Sequence, residues 1–161
     1  MSKDAPTFEL TDIPATARIA IVAARFNADM VDKLLDGCKR RLAEAQITGD
    51  RLELFRVPGA FELPVAAAAL AKTKKFSAVI CLGCVIRGDT PHFDFVAGEC
   101  ARGIARVSLD YLLPVIFGVL TTNTVEQVLE RLGGSHGHAG ERAADAAMEM
   151  IGVMAKISAE R

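Results

Sequence analysis

The segment Ile86-Arg-Gly-Asp-Thr-Pro-His92 combines residue types and spacing that could do chemistry. A glycine at 88 lets the backbone approach a ligand closely. Thr90-Pro91 is a helix-opening pair, threonine as N-cap and proline at the first helical position. The N–H groups of Gly88, Asp89 and Thr90 would then sit at the positive end of a helix dipole and could receive a phosphate, with the acidic side chain of Asp89 turned away. A merely well-capped helix would read the same way. His92 falls in the first turn, where most histidines are only solvated or capping. A helix start disfavours the imidazolium, however, and a neutral imidazole beside a phosphate can take up and return a proton.

Other candidates are scattered along the chain. Phe26 and Phe117 each read as following a strand among polar neighbours, a placement that suits stacking on a flat heterocycle as well as ordinary packing. Glu62, after Gly59-Ala60-Phe61, is a carboxylate at a helix start; it either complements the dipole or accepts hydrogen bonds from a polyol. Arg131 lies on a short helix, where a surface role is commoner than a phosphate contact. His136 and His138 form an HxH in Gly133–Gly140 with no carboxylate cluster nearby, which reads as a flexible loop and not as a metal site. Cys81 and Cys84 lie in a strand-like run, and their odd spacing sends them to opposite faces, so they cannot share a metal. Neither a GxxxxGKS nor a GxGxxG loop occurs, which disfavours nucleoside triphosphate and dinucleotide chemistry.

The elements that must position these residues alternate. Arg18–Ala24, Leu52–Val57, Ser77–Ile86 and Pro114–Leu120 are β-rich or continuously apolar, as strands covered on both faces are. Between them lie helical patterns: Val31, Leu34, Leu35, Cys38, Leu42 and Ala45 trace one stripe that Gly49 should stop, and Phe93, Ala97, Cys100, Ile104 and Val107 trace another. Pro64 is tolerable only in the first turn of the Ala-rich helix that follows Pro58-Gly59. Thr124 and Gln127 form a capping box for a short helix ending at Gly133-Gly134. The last helix should bury Ala143, Ala147, Met150, Ile151, Met154 and Ile157 and keep Asp145, Glu149 and Lys156 wet. This order predicts an α/β fold, a three-layer α/β/α sandwich of flavodoxin-like type with a four-stranded, mainly parallel sheet. Residues 18–161 form a single domain. Residues 1–17 are an extension that could add an edge strand to a neighbouring subunit. Ligands in such sheets bind beyond the carboxyl ends of the strands, which directs attention to 24–27, 58–62, 87–92 and 117–123.

Composition narrows the class further. A net charge of −1 with no basic run argues against nucleic acid. No apolar stretch is long enough to span a membrane, and the start of the chain lacks the pattern of a secretory signal, so a cytoplasmic location is expected. At 51% apolar residues the chain is rich for a small monomer. Val65–Ala71 is apolar all round, and a helix of that kind is normally buried on every side, which a packed homo-oligomer would allow.

Four segments stand out in order between about residues 18 and 154: Ala24-Arg-Phe-Asn27, Val57-Pro-Gly-Ala-Phe-Glu-Leu-Pro64, Gly83-Cys-Val-Ile-Arg-Gly-Asp-Thr-Pro-His-Phe-Asp94 and Phe117-Gly-Val-Leu-Thr-Thr-Asn123. Glu126-Gln127 and Glu130-Arg131 follow them. Together these resemble the lumazine synthase family, which condenses 5-amino-6-(D-ribitylamino)uracil with 3,4-dihydroxy-2-butanone 4-phosphate to give 6,7-dimethyl-8-ribityllumazine in riboflavin biosynthesis. The resemblance implies a transferase without cofactor or metal. It implies that Phe26 and Asn27 meet the pyrimidinedione, Ala60, Phe61 and Glu62 the ribityl chain, and that Cys84, Val85 and Ile86 line the ring pocket. Gly88, Asp89 and Thr90 would hold the phosphate, and His92 would transfer protons. Phe117 and Arg131 would come from the adjacent subunit of a homopentamer, itself in some relatives part of a sixty-subunit shell, and a functional link to riboflavin synthase would follow. One position departs from the pattern: many relatives carry a lysine where this chain has Ala139, which predicts weaker phosphate affinity unless His136 or His138 compensates.

Overall fold

A computed structural model describes residues 7–8 and 12–160. Its frame is a four-stranded sheet of β1 (Ile19–Ala24), β2 (Leu52–Val57), β3 (Ala78–Ile86) and β4 (Val115–Thr122), ordered β2-β1-β3-β4 and parallel throughout. β1 is buried along its whole length and β3 over its first seven residues, as apolar runs without alternation require when both faces are covered.

Helices cover both faces. On one, α1 (Ala28–Glu44) and α5 (Ala139–Ala159) close over Ile19, Ile21, Ile80 and Leu82. On the other, α2 (Leu63–Lys72) and α3 (His92–Tyr111) close over Ala20, Val22, Val79 and Cys81. The result is the flavodoxin-like three-layer sandwich expected from the element order. Between β4 and α5 lie α4 (Val125–Leu129) and a small antiparallel hairpin of β5 (Leu132–Gly134) and β6 (Gly137–His138). Among the described residues no helix is long and apolar enough to cross a membrane.

Several expectations need correction. β4 runs to Thr122, two residues beyond the expected Leu120, because parallel pairing with β3 continues to Ile86↔Thr122. Phe117 therefore lies within a strand and not after one. α1 ends at Glu44, and the left-handed residue that turns the chain is Gln46 (φ 60°), three residues before Gly49. The glycine-rich stretch at 132–138 is not a loop but the β5–β6 hairpin, whose Gly133 and Gly137 take positive φ. On α5, Met148 is buried while Met150 and Ile157 are exposed, and Asp145 is not on the wet side: it pairs with Arg41 of α1 at 2.6 Å. α2 buries Leu63, Ala67 and Ala71 but leaves Val65 and Ala69 exposed, so within one chain it is covered on one side only. The edge strand suggested for residues 1–17 falls largely outside the described residues.

Candidate active site

The chain runs from β1 out to β2 and returns to β3 on the other side of β1, so the carboxyl ends of β1 and β3 form the switch point where an open α/β sheet leaves a crevice. Pairing between these strands stops at Ala23↔Leu82, while β3 continues to Ile86 and would present unpaired carbonyls on that side. Asn27 answers this. It adopts the left-handed conformation that asparagine tolerates (φ 57°), and its Nδ2 donates to the Cys84 carbonyl at 2.9 Å.

The β2 side is set by backbone bonds that extend the β1–β2 ladder beyond its last strand pair. Arg25 N–H donates to Val57 O (2.8 Å) and Phe26 N–H to Pro58 O (3.0 Å). Phe26 is therefore brought against the turn Pro58-Gly59, and the single turn Ala60–Glu62 follows. Glu62 folds back so that its Oε2 accepts the Gly59 N–H at 2.9 Å. A Cβ on Gly59 would lie 3.3 Å from that oxygen, so the small residue permits the fold-back.

The third wall is Arg87–His92. Arg87 N–H extends the β3–β4 ladder to Thr122 O at 2.9 Å. The Arg87 guanidinium makes a two-pronged bond to the Asp94 carboxylate (2.8 and 3.1 Å), donates to Asn123 Oδ1 (3.1 Å) and lies 4.2 Å over the Phe93 ring. This contact holds the Asp94 carboxyl below its usual range. Asn123 N–H in turn donates to Gln127 Oε1 at 2.8 Å, while Gln127 N–H is capped by Thr124 Oγ1 at 3.3 Å. Gln127 thus returns to the residue before the cap, not to the cap itself. α3 begins at His92, one residue later than the Thr90-Pro91 reading required, although Thr90 Oγ1 still accepts the His92 N–H at 3.4 Å.

These three walls enclose a cavity of about 360 Å³, within the range that takes a small metabolite. Phe26, Asn27, Ala60, Phe61, Glu62, Cys84, Val85, Ile86, Gly88, Thr90 and His92 all line it. Asp89 does not. Phe93, Val96 and Gly59 line it as well; Phe93 carries a helix-stripe signal and Gly59 falls in the segment 58–62, whereas Val96 carries none. Phe26 is 72% and Phe61 57% exposed, so the mouth is apolar and open. Apart from its chain neighbours, no described residue lies within 4 Å of where a Cβ on Gly88 would be. Arg87 was invisible as a clamp because its partners Asp94 and Asn123 obey no helical or strand spacing. Cys84 faces the α1–α5 side and Cys81 the α2–α3 side, and burial pushes the Cys84 thiol up to about 11.

Phe117 and Arg131 are not brought to this cavity. They line a second one, along the outer edge of β4 beneath α5, together with Gly118, Ala139, Arg142 and Ala143. Arg131 Nη1 donates to the Gln127 carbonyl at 2.8 Å. The two histidines of the HxH have separate engagements. His138 caps α5, its Nδ1 accepting from Gly140 N–H (3.2 Å) and Glu141 N–H (3.4 Å), so its proton resides on Nε2. Burial lowers its pKa, and its ring fills the space left by Gly37, where a Cβ would lie 2.1 Å away. That ring lines neither of the two cavities. His136 Nδ1 meets Ser135 Oγ at 3.0 Å.

A family model described as 6,7-dimethyl-8-ribityllumazine synthase matches residues 16–155.

Proposed function

The chain belongs to the 6,7-dimethyl-8-ribityllumazine synthase family, and from that premise we propose that it condenses 5-amino-6-(D-ribitylamino)uracil with 3,4-dihydroxy-2-butanone 4-phosphate. The observation that carries this reading is the convergence of three separated segments, 24–27, 57–62 and 84–92, on one cavity at the switch point. Its contents suit the two reactants: an exposed aromatic for a flat ring, a carboxylate for a polyol, a helix start for a phosphate and an imidazole for protons. Phe26 stacks on the pyrimidinedione, Asn27, Cys84, Val85 and Ile86 surround it, and Ala60, Phe61 and Glu62 take the ribityl chain. Gly88, Asp89 and Thr90 offer backbone N–H groups to the phosphate.

The substrate amine is its own nucleophile. It adds to the ketone carbon, water leaves to give an imine, a proton is lost from carbon as phosphate departs, and ring closure with loss of a second water completes the product. The protein's main contribution is to hold the reactants in line, which supplies much of a rate enhancement. His92 carries protons between these steps. Phe117 and Arg131 act from a neighbouring copy, Arg131 on the departing phosphate, so the working unit is a ring of subunits, a homopentamer. The exposed apolar residues Phe26, Phe61, Val65 and Phe95 support such packing.

A steady-state assay with both substrates, read as lumazine absorbance above the spontaneous background, tests the proposal. Saturation in both substrates is expected, and no rate above background overturns it. In the same assay His92→Ala should lower turnover about tenfold, less than a typical general-base loss, because aligned substrates still react. A loss of many thousandfold with the fold intact would contradict positioning as the main contribution.

A further inference from the structure

The cavity along β4 holds a cation that the reading above leaves unused. Arg142 projects from the first turns of α5, three residues after Ala139 and four before Ala146, so all three share one stripe of the helix. The stripe is otherwise alanine: Ala139, Ala143 and Ala146 leave open space over Gly118, Thr121 and Thr122. Two guanidinium groups, Arg131 and Arg142, line that space, and no carboxylate does.

The partners of the two groups matter as much as their placement. Most arginines of the chain are matched to a carboxylate: Arg18, Arg40, Arg41, Arg56, Arg87, Arg102 and Arg106 each form an ion pair, and Arg131 lies 3.8 Å from Glu130. Among the described residues Arg142 has none. Its Nη1 donates instead to the His136 carbonyl at 2.6 Å, a bond that fixes the fork and leaves its charge uncompensated. The hairpin is shaped around it. Gly137, at φ 68°, turns directly above the guanidinium, and a Cβ there would lie 2.9 Å from Nη1. A half-buried, positioned, unneutralised fork beside a second one is the arrangement that binds a tetrahedral dianion.

We propose that Arg142 is a second phosphate-binding residue, acting with Arg131 on the phosphate of the butanone substrate and on the inorganic phosphate it becomes. The inference rests on the reaction assigned above. It also accounts for how a site with alanine at 139 retains two cations: the second charge comes from one turn further along the same helix.

The test is the steady-state assay with inorganic phosphate as competing ligand, run on the native assembly, Arg142→Gln, Arg142→Lys and the double variant Arg142→Gln/Ala139→Lys. Arg142→Gln should raise both the KM for the butanone phosphate and the inhibition constant for phosphate about tenfold, the loss of one charge-assisted contact. The KM for the pyrimidinedione should stay within about twofold, since the other cavity holds the ring. Arg142→Lys and the lysine at 139 should each recover part of the phosphate affinity, which support of the hairpin alone would not produce. Unchanged phosphate constants in folded Arg142→Gln overturn the inference, as does an equal rise in both KM values. If the native protein makes no lumazine, the reaction reading fails separately. The inference is then decided by thermal stabilisation with phosphate, which must appear in the native protein and shrink in Arg142→Gln; its absence, or equal stabilisation of both, overturns it.

Discussion

The two cavities of this chain are made by opposite means. The first exists because strands end: β1, β2 and β3 stop at a switch point, and Asn27 and Arg87 brace the gap between elements anchored in the core. The second exists because side chains are small. Gly118, Ala139, Ala143 and Ala146 leave room along an edge strand, and the polar groups arrive from a short helix, a hairpin and the start of α5. The first collects aromatic rings, a carboxylate and an imidazole, whereas the second collects two guanidinium groups and no acid. Neither holds everything that the proposed condensation requires. On the proposed function, contact between subunits completes the site, with one copy offering the ring and proton chemistry and the next offering cations.

Substitutions on either side should break this division cleanly. Arg131→Ala should cost about a hundredfold in kcat/KM for the butanone phosphate, the upper range for a lost charged contact. The KM for the pyrimidinedione should barely move; if the ring substrate suffers equally, the division of labour is wrong. Phe26→Ala should do the reverse, raising the pyrimidinedione KM about tenfold through lost stacking. Mixed assemblies of these two variants sharpen the point. Random pairing in a ring places both native residues at about one interface in four, so about a quarter of native activity should return on co-assembly. No recovery would mean that Phe26 and Arg131 serve the same chain's site.

The smallest expected effect separates the two frames by pH. His138 is a neutral acceptor in the cap of α5, with a pKa lowered from 6.5 chiefly by burial. Its contribution is complete above the unfolded value of 6.5 and is lost as pH falls through the window below it, because the unfolded chain binds the proton more readily. The Arg87–Asp94 clamp of the first cavity behaves differently. Hydrogen bonding from Arg87 lowers the Asp94 pKa from 3.8, so that clamp is intact above 3.8 and fails only in stronger acid. Thermal denaturation of Asn-substituted protein, His138→Asn, should therefore follow a flatter pH course between 7 and 5 than the native protein, by a few degrees. Parallel pH courses would remove His138 from the frame.

The sequence was informative where one residue answers to its neighbours in an element and silent where it answers to something across the fold. Strand interiors of Ile, Val and Leu and the cap at Thr124 were readable because their signals are local, whereas the cap read at Thr90 falls one residue too early. Arg87 was not, since its meaning lies in Asp94 and Asn123, reached across a loop and a neighbouring strand. Thr121 and Thr122 lie beyond the apolar run that marks the strand and belong to it because β3 offers Val85 and Ile86 as partners. The hairpin at 132–138 is hidden by its own glycines, which suit both a loop and a positive-φ turn. Arg142 had a usable signal, its shared stripe with Ala139. The apolar count pointed at burial that a single chain does not provide, as the exposed Val65 of α2 makes plain.

Cys84 carries a last consequence. It lines the cavity that would take up a carbonyl compound, yet burial pushes its thiol up to about 11. Burial therefore disfavours the thiolate, the form that attacks electrophiles. A sulfur beside a reactive ketone would otherwise be a route to self-inactivation, through a thiol adduct that outlives the intended imine. The dry wall of α1 and α5 behind β3 therefore does more than pack. On the proposed condensation, it makes such an adduct less favourable by holding Cys84 as the thiol.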